Sequence, residues 1–323
     1  MELPFELRAA LEQQLQDIQY GQMLRDSQNI SVRYRTQSGR GERLLTSDSE
    51  ALSYAVSRMP ATYGAVRTAL EKTLEKVDCR PGTMLDAGAG TGAASWAAAG
   101  LLDLDSISCL ERERAMRSLG IRLMESGTQV LRRAEWIEHD LETDDIPGKA
   151  DLVVASYVLN EMTGEVRRRA ARKLWDAAGM ILLLVEPGTP AGFSNLNEVR
   201  RTLLEQGAII AAPCSRSADC PMEAGDWCHF TCRVARSRLH RQLKGGDAPY
   251  EDEKFSYLAF VREAYIREAY GDDSMRILRH PQVRGGHVML EVCTKDGITE
   301  LTLSKKDGAS YKRARKAASG DEL

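Results

Sequence analysis

Proline and aromatic residues are both sparse in this chain of 323 residues, with ten prolines and 6% Phe, Trp and Tyr, which excludes collagen-like and proline-rich extended structure. Long apolar runs are missing as well. The longest, such as 177–185, fall far short of the roughly 20 residues a membrane-crossing helix needs, so no membrane role is expected. Neither charge sign dominates: Lys plus Arg number 44 against 47 Asp plus Glu, for a net charge of -3. Any affinity for a polyanion must therefore come from local clustering of basic residues. The opening MELPFEL lacks the basic stretch and apolar core of a secretory signal, which points to the cytoplasm and to reduced thiols for the seven cysteines. A composition 43% hydrophobic and 28% charged excludes disorder, and the length allows about two domains. A soluble globular monomer is expected.

Leu7, Leu11, Leu15 and Ile18 recur at helical spacing and predict an amphipathic opening helix. Ser47 and Glu50 form a capping box ahead of Ala51, Leu52, Ala55 and Val56, and Pro60 is expected to end that second helix. Tyr63, Val66, Leu70, Leu74 and Val77 trace the buried face of a third, so residues 1–78 read as an N-terminal helical region. After Pro81-Gly82 the texture changes. Short apolar runs at 83–85, 106–110, 151–155 and 180–185 alternate with helical or polar stretches, the pattern of a parallel α/β sheet with crossover helices. Residues 255–261 and 288–292 are later strands, the second opening a hairpin through Gly297 into 299–303. The organisation is thus an α/β domain at 79–270 with a cysteine-rich insertion at 212–232, and a small C-terminal β region with a basic tail at 271–323.

The sharpest local feature is Leu85-Asp86-Ala87-Gly88-Ala89-Gly90-Thr91-Gly92, a strand that ends in an acid and runs into alternating glycines. Such a loop lets backbone approach a ligand without interference from Cβ atoms. Gly88, Gly90 and Ala93 also satisfy the dinucleotide pattern G-x-G-x-x-A. Charge separates the two readings: Asp86 would repel a pyrophosphate but suits the ammonium of S-adenosylmethionine (SAM). Glu111 closes the next apolar run, where an acid receives ribose hydroxyls, and Asp140 follows a third run, where it can accept from an adenine amino group. Asn160 and Glu161, at the end of the fourth run, are the candidate residues for methyl transfer. No N/D-P-P-Y/F tetrapeptide and no Pro-Cys at that position names the acceptor.

Four of the cysteines fall within nineteen residues, as Cys214, Cys220, Cys228 and Cys232. Soft thiolates grouped in a reducing compartment hold a metal, either zinc or an iron–sulfur cluster. Zinc favours short knuckles, whereas C-x5-C-x7-C leaves spans that suit a bulkier inorganic core, and Cys220-Pro221 has the Cys-Pro step of ferredoxin ligands. Cys232, His229 and Cys293 compete for the fourth position, while Cys79 and Cys109 read as a linker thiol and a buried strand residue. Arg233, Arg236, Arg238 and Arg241 follow with no acid among them; Lys312, Arg313 and Arg315 form a second basic segment and Arg167, Arg168 and Arg169 a third. Phosphate backbone is the natural partner of such local fields, with RNA the favoured polyanion.

The glycine loop, Ser156-Tyr157-Val158-Leu159-Asn160-Glu161, Val185-Glu186-Pro187-Gly188, the cysteine spacing, Trp227-Cys228-His229-Phe230 and Tyr250-Glu251-Asp252-Glu253-Lys254-Phe255-Ser256-Tyr257 together carry a resemblance. From about Tyr54 to Arg315 the chain resembles the methyltransferase-like assembly factors of the mitochondrial small ribosomal subunit and their bacterial relatives. The resemblance implies a class I SAM-dependent methyltransferase fold, association with small-subunit (16S-type) rRNA, and a [4Fe-4S] cluster. By position it assigns the cluster to Cys214, Cys220, Cys228 and Cys293, leaves Cys232 without a role, and places Lys312, Arg313 and Arg315 in a basic motif that meets RNA. Three functions remain open at this stage: an rRNA methyltransferase, a non-catalytic assembly factor that keeps SAM and the cluster as structural groups, and a zinc-stapled dinucleotide enzyme.

Overall fold

The computed structural model describes residues 1–16, 20–37, 45, 47–214, 216–267 and 274–323. Ile18 of the opening helix and Ser215 of the cysteine segment lie outside the described residues. The chain opens with helices α1 (Phe5–Gln14), α2 (Tyr20–Gln37) and α3 (Asp48–Leu74). The Ser47 hydroxyl accepts from the Glu50 N–H and caps α3 as its sequence predicts. Pro60 does not end the helix, and the expected second and third helices are one element of 27 residues. A mid-helix proline loses one hydrogen bond and crowds the carbonyl four residues back, at a cost of about 3 kcal/mol. Val56, Met59, Tyr63 and Val66 are all buried around it. Each contributes roughly 1.5–3 kcal/mol by leaving water, so burial on both sides of the proline wins.

The α/β unit comprises β1 (Thr83–Ala87), α4 (Ala93–Ala99), β2 (Ser106–Glu111), α5 (Arg114–Met124), α6 (Gln129–Arg132), β3 (Glu135–Glu138) and β4 (Ala150–Ser156). It continues through α7 (Gly164–Ala177), β5 (Ala178–Pro187), α8 (Pro190–Leu204), β6 (Ile209–Ala212), β7 (Phe230–Ala235), α9 (Arg238–Lys244) and β8 (Tyr250–Val261). The strands lie in the order β3-β2-β1-β4-β5-β8-β6, with β1 to β5 parallel and β8 antiparallel to β5. This is the class I SAM-dependent methyltransferase arrangement, in a mixed rather than purely parallel sheet. Strand order reverses between β1 and β4, which opens a crevice outside their carboxyl ends, where ligands of such sheets bind. One face of the sheet is covered by α3, α4 and α5 and the other by α7 and α8.

Strand β8 is long enough to serve two neighbours on one side. Its C-terminal half pairs with β6, from Ile209↔Val261 to Ala212↔Ala259, and its N-terminal half pairs with β7, from Phe230↔Phe255 to Ala235↔Tyr250. The segment 213–229 therefore leaves the sheet edge and returns to it, carrying three cysteines outward. Beyond lies a second antiparallel sheet of β9 (Arg276–Ile277), β10 (Gln282–Arg284), β11 (His287–Thr294) and β12 (Gly297–Ser304), with β11 and β12 forming the expected hairpin. Helix α10 (Gly308–Ala314) closes it, packing Tyr311 and Ala314 on Ile277, Val288, Leu290 and Val292.

Arg262 locks the end of β8 to α7 and β5. Its guanidinium lies 3.7 Å from the centroid of the Trp175 ring and donates to Trp175 O at 2.7 Å and to Ala178 O at 3.0 and 3.1 Å. Arg262→Ala should lower stability by about 2–4 kcal/mol, and Lys should recover less than half of that, because an ammonium cannot stack and reach both carbonyls together. Denaturant unfolding followed by tryptophan fluorescence measures both.

Candidate functional site

After β1 the backbone turns through Gly88, Gly90 and Gly92 at φ of 70°, 58° and 86°. The N–H groups of Gly88 and Ala89 both donate to Leu110 O, stitching the loop to β2. A Cβ at Gly88 would stand 2.7 Å from Val158, so the position demands glycine for space as well as for φ. Asp86 departs from its expected role. It is fully buried behind the loop, where one carboxylate oxygen accepts from the Ser95 N–H at 3.1 Å and its hydroxyl at 2.7 Å. Burial pushes its pKa up to about 6, against those two donations. The acid fastens the first turn of α4 to β1 and does not touch the ligand space.

That space is a chamber of about 80 Å³ lined by Gly88, Gly90, Glu111, Asp140, Tyr157 and Glu161, among others. Glu111 accepts from the Gly90 N–H at 2.8 Å and the Glu113 N–H at 2.7 Å, holding the loop to the end of β2. Each of its oxygens keeps a lone pair for a further donor. His139 turns Nε2 to Asp145 O at 3.1 Å, and its buried Nδ1 has no partner. Five carboxylates (Glu111, Glu113, Asp140, Glu142 and Glu161) face this chamber against a single arginine, Arg112. Such a field repels pyrophosphate and attracts a cation, so the donor set fits SAM and disfavours a dinucleotide.

Tyr157 alone among the described non-glycine residues takes a positive φ, 58°. Its N–H donates to Val185 O at 2.8 Å and its hydroxyl to Glu253 at 2.9 Å. A side chain held in this region costs about 1–3 kcal/mol, and such strain concentrates at functional sites. With Tyr54 it stands where the chamber meets a wider cleft of about 1020 Å³, whose walls include Arg58, Asn160, Asn195 and Lys254. The sequence placed Asn160 and Glu161 on one face; the structure puts Glu161 in the chamber and Asn160 in the cleft. Burial, together with Glu111, Glu186 and Glu113, outweighs Arg112 and raises Glu161 to about 8. Glu186, wholly buried, accepts from the Leu159 N–H at 2.9 Å and is likewise raised to about 8 by burial. Nothing in the sequence singled out Tyr54, and Tyr157 was visible only as part of a motif, since its strain is a property of the backbone.

Cys214, Cys220 and Cys228 line one cavity beside the sheet edge, with Arg200, Phe230 and Arg276. Cys293 reaches the same place from the second sheet, where it pairs in register with Arg276. The four thiols sense one another: burial, with charge on Cys214, Cys220 and Cys293, outweighs the Arg276 guanidinium and pushes Cys228 up to about 11. Burial also raises Cys293. At Cys214 burial works the same way, but the Arg200 and Arg276 guanidiniums outweigh it and hold the thiol below its ordinary value. Among the described residues no group of three His, Cys, Asp or Glu side chains is gathered tightly enough for a single metal ion. Cys232 points from β7 into the core, with its sulfur against Gly64 of α3, and Cys109 is buried beside Ser95. Arg200 and Arg276, which enclose the cysteines, carried no signal in the sequence.

Several expected RNA contacts are committed inside the protein. Arg233 pairs with Asp252 through Nε at 2.7 Å and Nη2 at 2.8 Å, and Arg236 closes on Glu251 at 2.6 Å. Arg167 is buried on Glu198, which Arg168 shares. Arg241 is half-buried. Arg238, Lys312, Arg313 and Arg315 are exposed and carry no ion pair among the described residues.

The family described as mitochondrial small ribosomal subunit Rsm22 matches residues 48–323. The chain belongs to the Rsm22 family. A human relative, the mitochondrial ribosome assembly protein METTL17, is 27% identical over 293 residues, covering 84% of this chain and 62% of its own length. The mitochondrial Rsm22-cox11 tandem protein 2 of Schizosaccharomyces pombe is 24% identical over 341 residues, covering 85% and 43%. This Rsm22-family chain thus spans less than two thirds of either relative. Among solved structures, magnesium protoporphyrin IX methyltransferase of Synechocystis with bound SAM is 14% identical, with 74% and 97% coverage and a TM-score of 0.41. The plantazolicin methyltransferase BpumL with S-adenosylhomocysteine is 10% identical, with 76% and 98% coverage and a TM-score of 0.43. These are likenesses of fold alone. Among the described residues no helix is long and apolar enough to cross a membrane.

Glu161 makes cation binding pH-dependent. Below its pKa of about 8 the side chain is mostly neutral, and ionising it adds a negative charge to the chamber. SAM affinity measured by calorimetry should strengthen as pH rises from 6.5 to 8.5, by at most about tenfold per unit, with proton release. Glu161→Gln should flatten that rise; an identical slope in the variant refutes the assignment.

Proposed function

We propose that this chain is a SAM-binding, methyltransferase-like assembly protein of the small ribosomal subunit, which contacts rRNA and holds a [4Fe-4S] centre on Cys214, Cys220, Cys228 and Cys293. The observation that carries the SAM part is the carboxylate-lined chamber outside β1, β2 and β4. Gly88 and Gly90 bring bare backbone to the ligand, Glu111 faces the ribose hydroxyls, and Asp140 accepts from the adenine amine. Bound SAM supplies a methyl group already activated by its sulfonium, so positioning of the acceptor is the main task left to the protein. Tyr54 and Tyr157 divide donor chamber from acceptor cleft, with Asn160 on the acceptor side. Glu161 lies on the donor side of the two tyrosines, where its ionisation adds to the negative field that meets the sulfonium.

The metal part is supported by the donor set. Three soft thiolates, Cys214, Cys220 and Cys228, line one buried space with Cys293 beside it, on spans longer than the short knuckles zinc favours. A larger inorganic core suits them better. It ties segment 213–229 to β11 and thereby joins the methyltransferase sheet to the sheet that bears α10. Of the expected RNA contacts, Arg238, Lys312, Arg313 and Arg315 are exposed without an ion pair among the described residues and are open to phosphate. The relatives' names support the ribosomal assignment, since one is a ribosome assembly protein and the family is that of a small-subunit protein.

One observation favours a reading without turnover: of the two candidate residues Glu161 lies in the donor chamber, and only Asn160, an amide that takes up no proton, faces the acceptor cleft. Incubation with methyl-labelled SAM and immature small subunits decides between them. Turnover predicts label in rRNA that falls at least about tenfold in Asn160→Ala, which loses the candidate residue facing the acceptor; SAM retained on the protein with no label in RNA establishes the structural role instead. Protein purified without oxygen should be brown, with about four irons and four sulfides per chain. Cys214→Ser should bleach it and Cys79→Ser should not; one zinc in colourless protein overturns the cluster.

A further inference from the structure

The cavity that gathers the cysteines also buries two positive charges with no carboxylate to meet them. Arg200, on α8, is 2% exposed; it donates to the Cys214 sulfur at 3.1 Å, to Ala218 O at 2.6 Å and to Arg216 O at 3.1 Å. Arg276, on β9, is 6% exposed; it donates to Pro213 O at 2.9 Å and lies 5.3 Å from the centroid of the Phe230 ring, while its buried Nε has no partner. No Asp or Glu lines the cavity, and neither arginine forms an ion pair among the described residues. An unpaired buried charge costs several kcal/mol, and two cations in one small space repel each other. The other arginine buried among the described residues, Arg167, has its carboxylate in Glu198. The balancing anion at this site must therefore come from the sulfurs and whatever they hold.

We propose that Arg200 and Arg276 are the built-in counter-charge of the cysteine centre, positioning residues that neutralise it and make it easier to reduce. Four thiolates around a core with two positive charges leave two negative charges, and the two guanidiniums cancel them. Arg200 also fixes the ligand segment through three of its own groups, Cys214, Arg216 and Ala218, before any metal arrives. Arg276 enters from the second sheet beside Cys293 and Arg200 from α8 beside Cys214, so the two parts of the chain each bring thiolates and one cation to the same balance. Adding an electron raises the negative charge of the centre, which two adjacent guanidiniums favour. The inference rests on the proposal that Cys214, Cys220, Cys228 and Cys293 hold a metal centre, and its test separates the two.

The full chain and its Arg200→Gln, Arg276→Gln, Arg200→Lys and Arg276→Lys variants are purified without oxygen. Iron release to a ferrous chelator and the midpoint potential of the visible band are measured, with circular dichroism to establish folding. Each Gln variant should lose iron at least about tenfold faster than wild type and shift to a lower potential, because one negative charge is left uncompensated. The Lys variants keep the charge and should stay near the wild-type potential, even where lost hydrogen bonds speed release. Folded Gln variants with wild-type potential and release overturn the counter-charge role. Should the Gln variants not fold, Lys variants whose potential falls overturn it, and Lys variants that hold the potential support it. Wild-type protein free of iron and sulfide overturns the metal centre beneath it.

Discussion

The pairing of β8 with three strands is the constraint from which the rest follows. On one side it runs antiparallel to β5 along 255–261; on the other it carries β6 and β7 end to end. Because both edge segments are pinned to one strand, the stretch between them cannot spread along the sheet and must project from it. The projection meets the second sheet, where Asp226 and Arg279 form an ion pair and Arg276 reaches Pro213 O. A cysteine-bearing segment that would wander at a chain terminus is thus held at both ends within a few residues of Cys214 and Cys228.

Two sites of opposite electrical character result. The glycine-loop chamber is lined by carboxylates, of which burial raises Glu161 to about 8 and raises Glu111 as well, while the cysteine cavity holds buried guanidiniums and no carboxylate. Each is the complement of a different guest, one cationic and one anionic. The separation also explains why a net charge of -3 says little about partners: the acids and bases that matter are sorted by place, and at the sheet edge Arg233 and Arg236 are paired with the β8 acids Asp252 and Glu251.

Much of the fold was legible because its strands are short apolar runs with period-two or fully buried patterning, and the glycine loop announces itself by residue type. The capping box at Ser47 and the hairpin at Gly297 were equally local signals. Pro60 misled because local propensity cannot weigh the burial of α3 along 27 residues. Asp86 misled because spacing tells which residues adjoin a loop and not which way a strand turns each side chain. The cysteine spacing identified the segment, yet the arginines around it come from α8 and β9, far apart in the chain, and isolated basic residues carry no motif. Arg233 and Arg236 read as a basic run only because their acidic partners sit on the neighbouring strand.

The hydrogen bond from Tyr157 to Glu253 crosses from the end of β4 to the half of β8 that holds β7, with Glu253 registered opposite Cys232. One rung of the edge ladder therefore bears on the strained tyrosine between the two ligand spaces. Fraying of β7, the strand that closes the cysteine excursion, would release that hydroxyl and let the backbone at Tyr157 relax toward an ordinary conformation. A single phenol thus couples the edge strand beside the cysteine segment to the boundary between chamber and cleft.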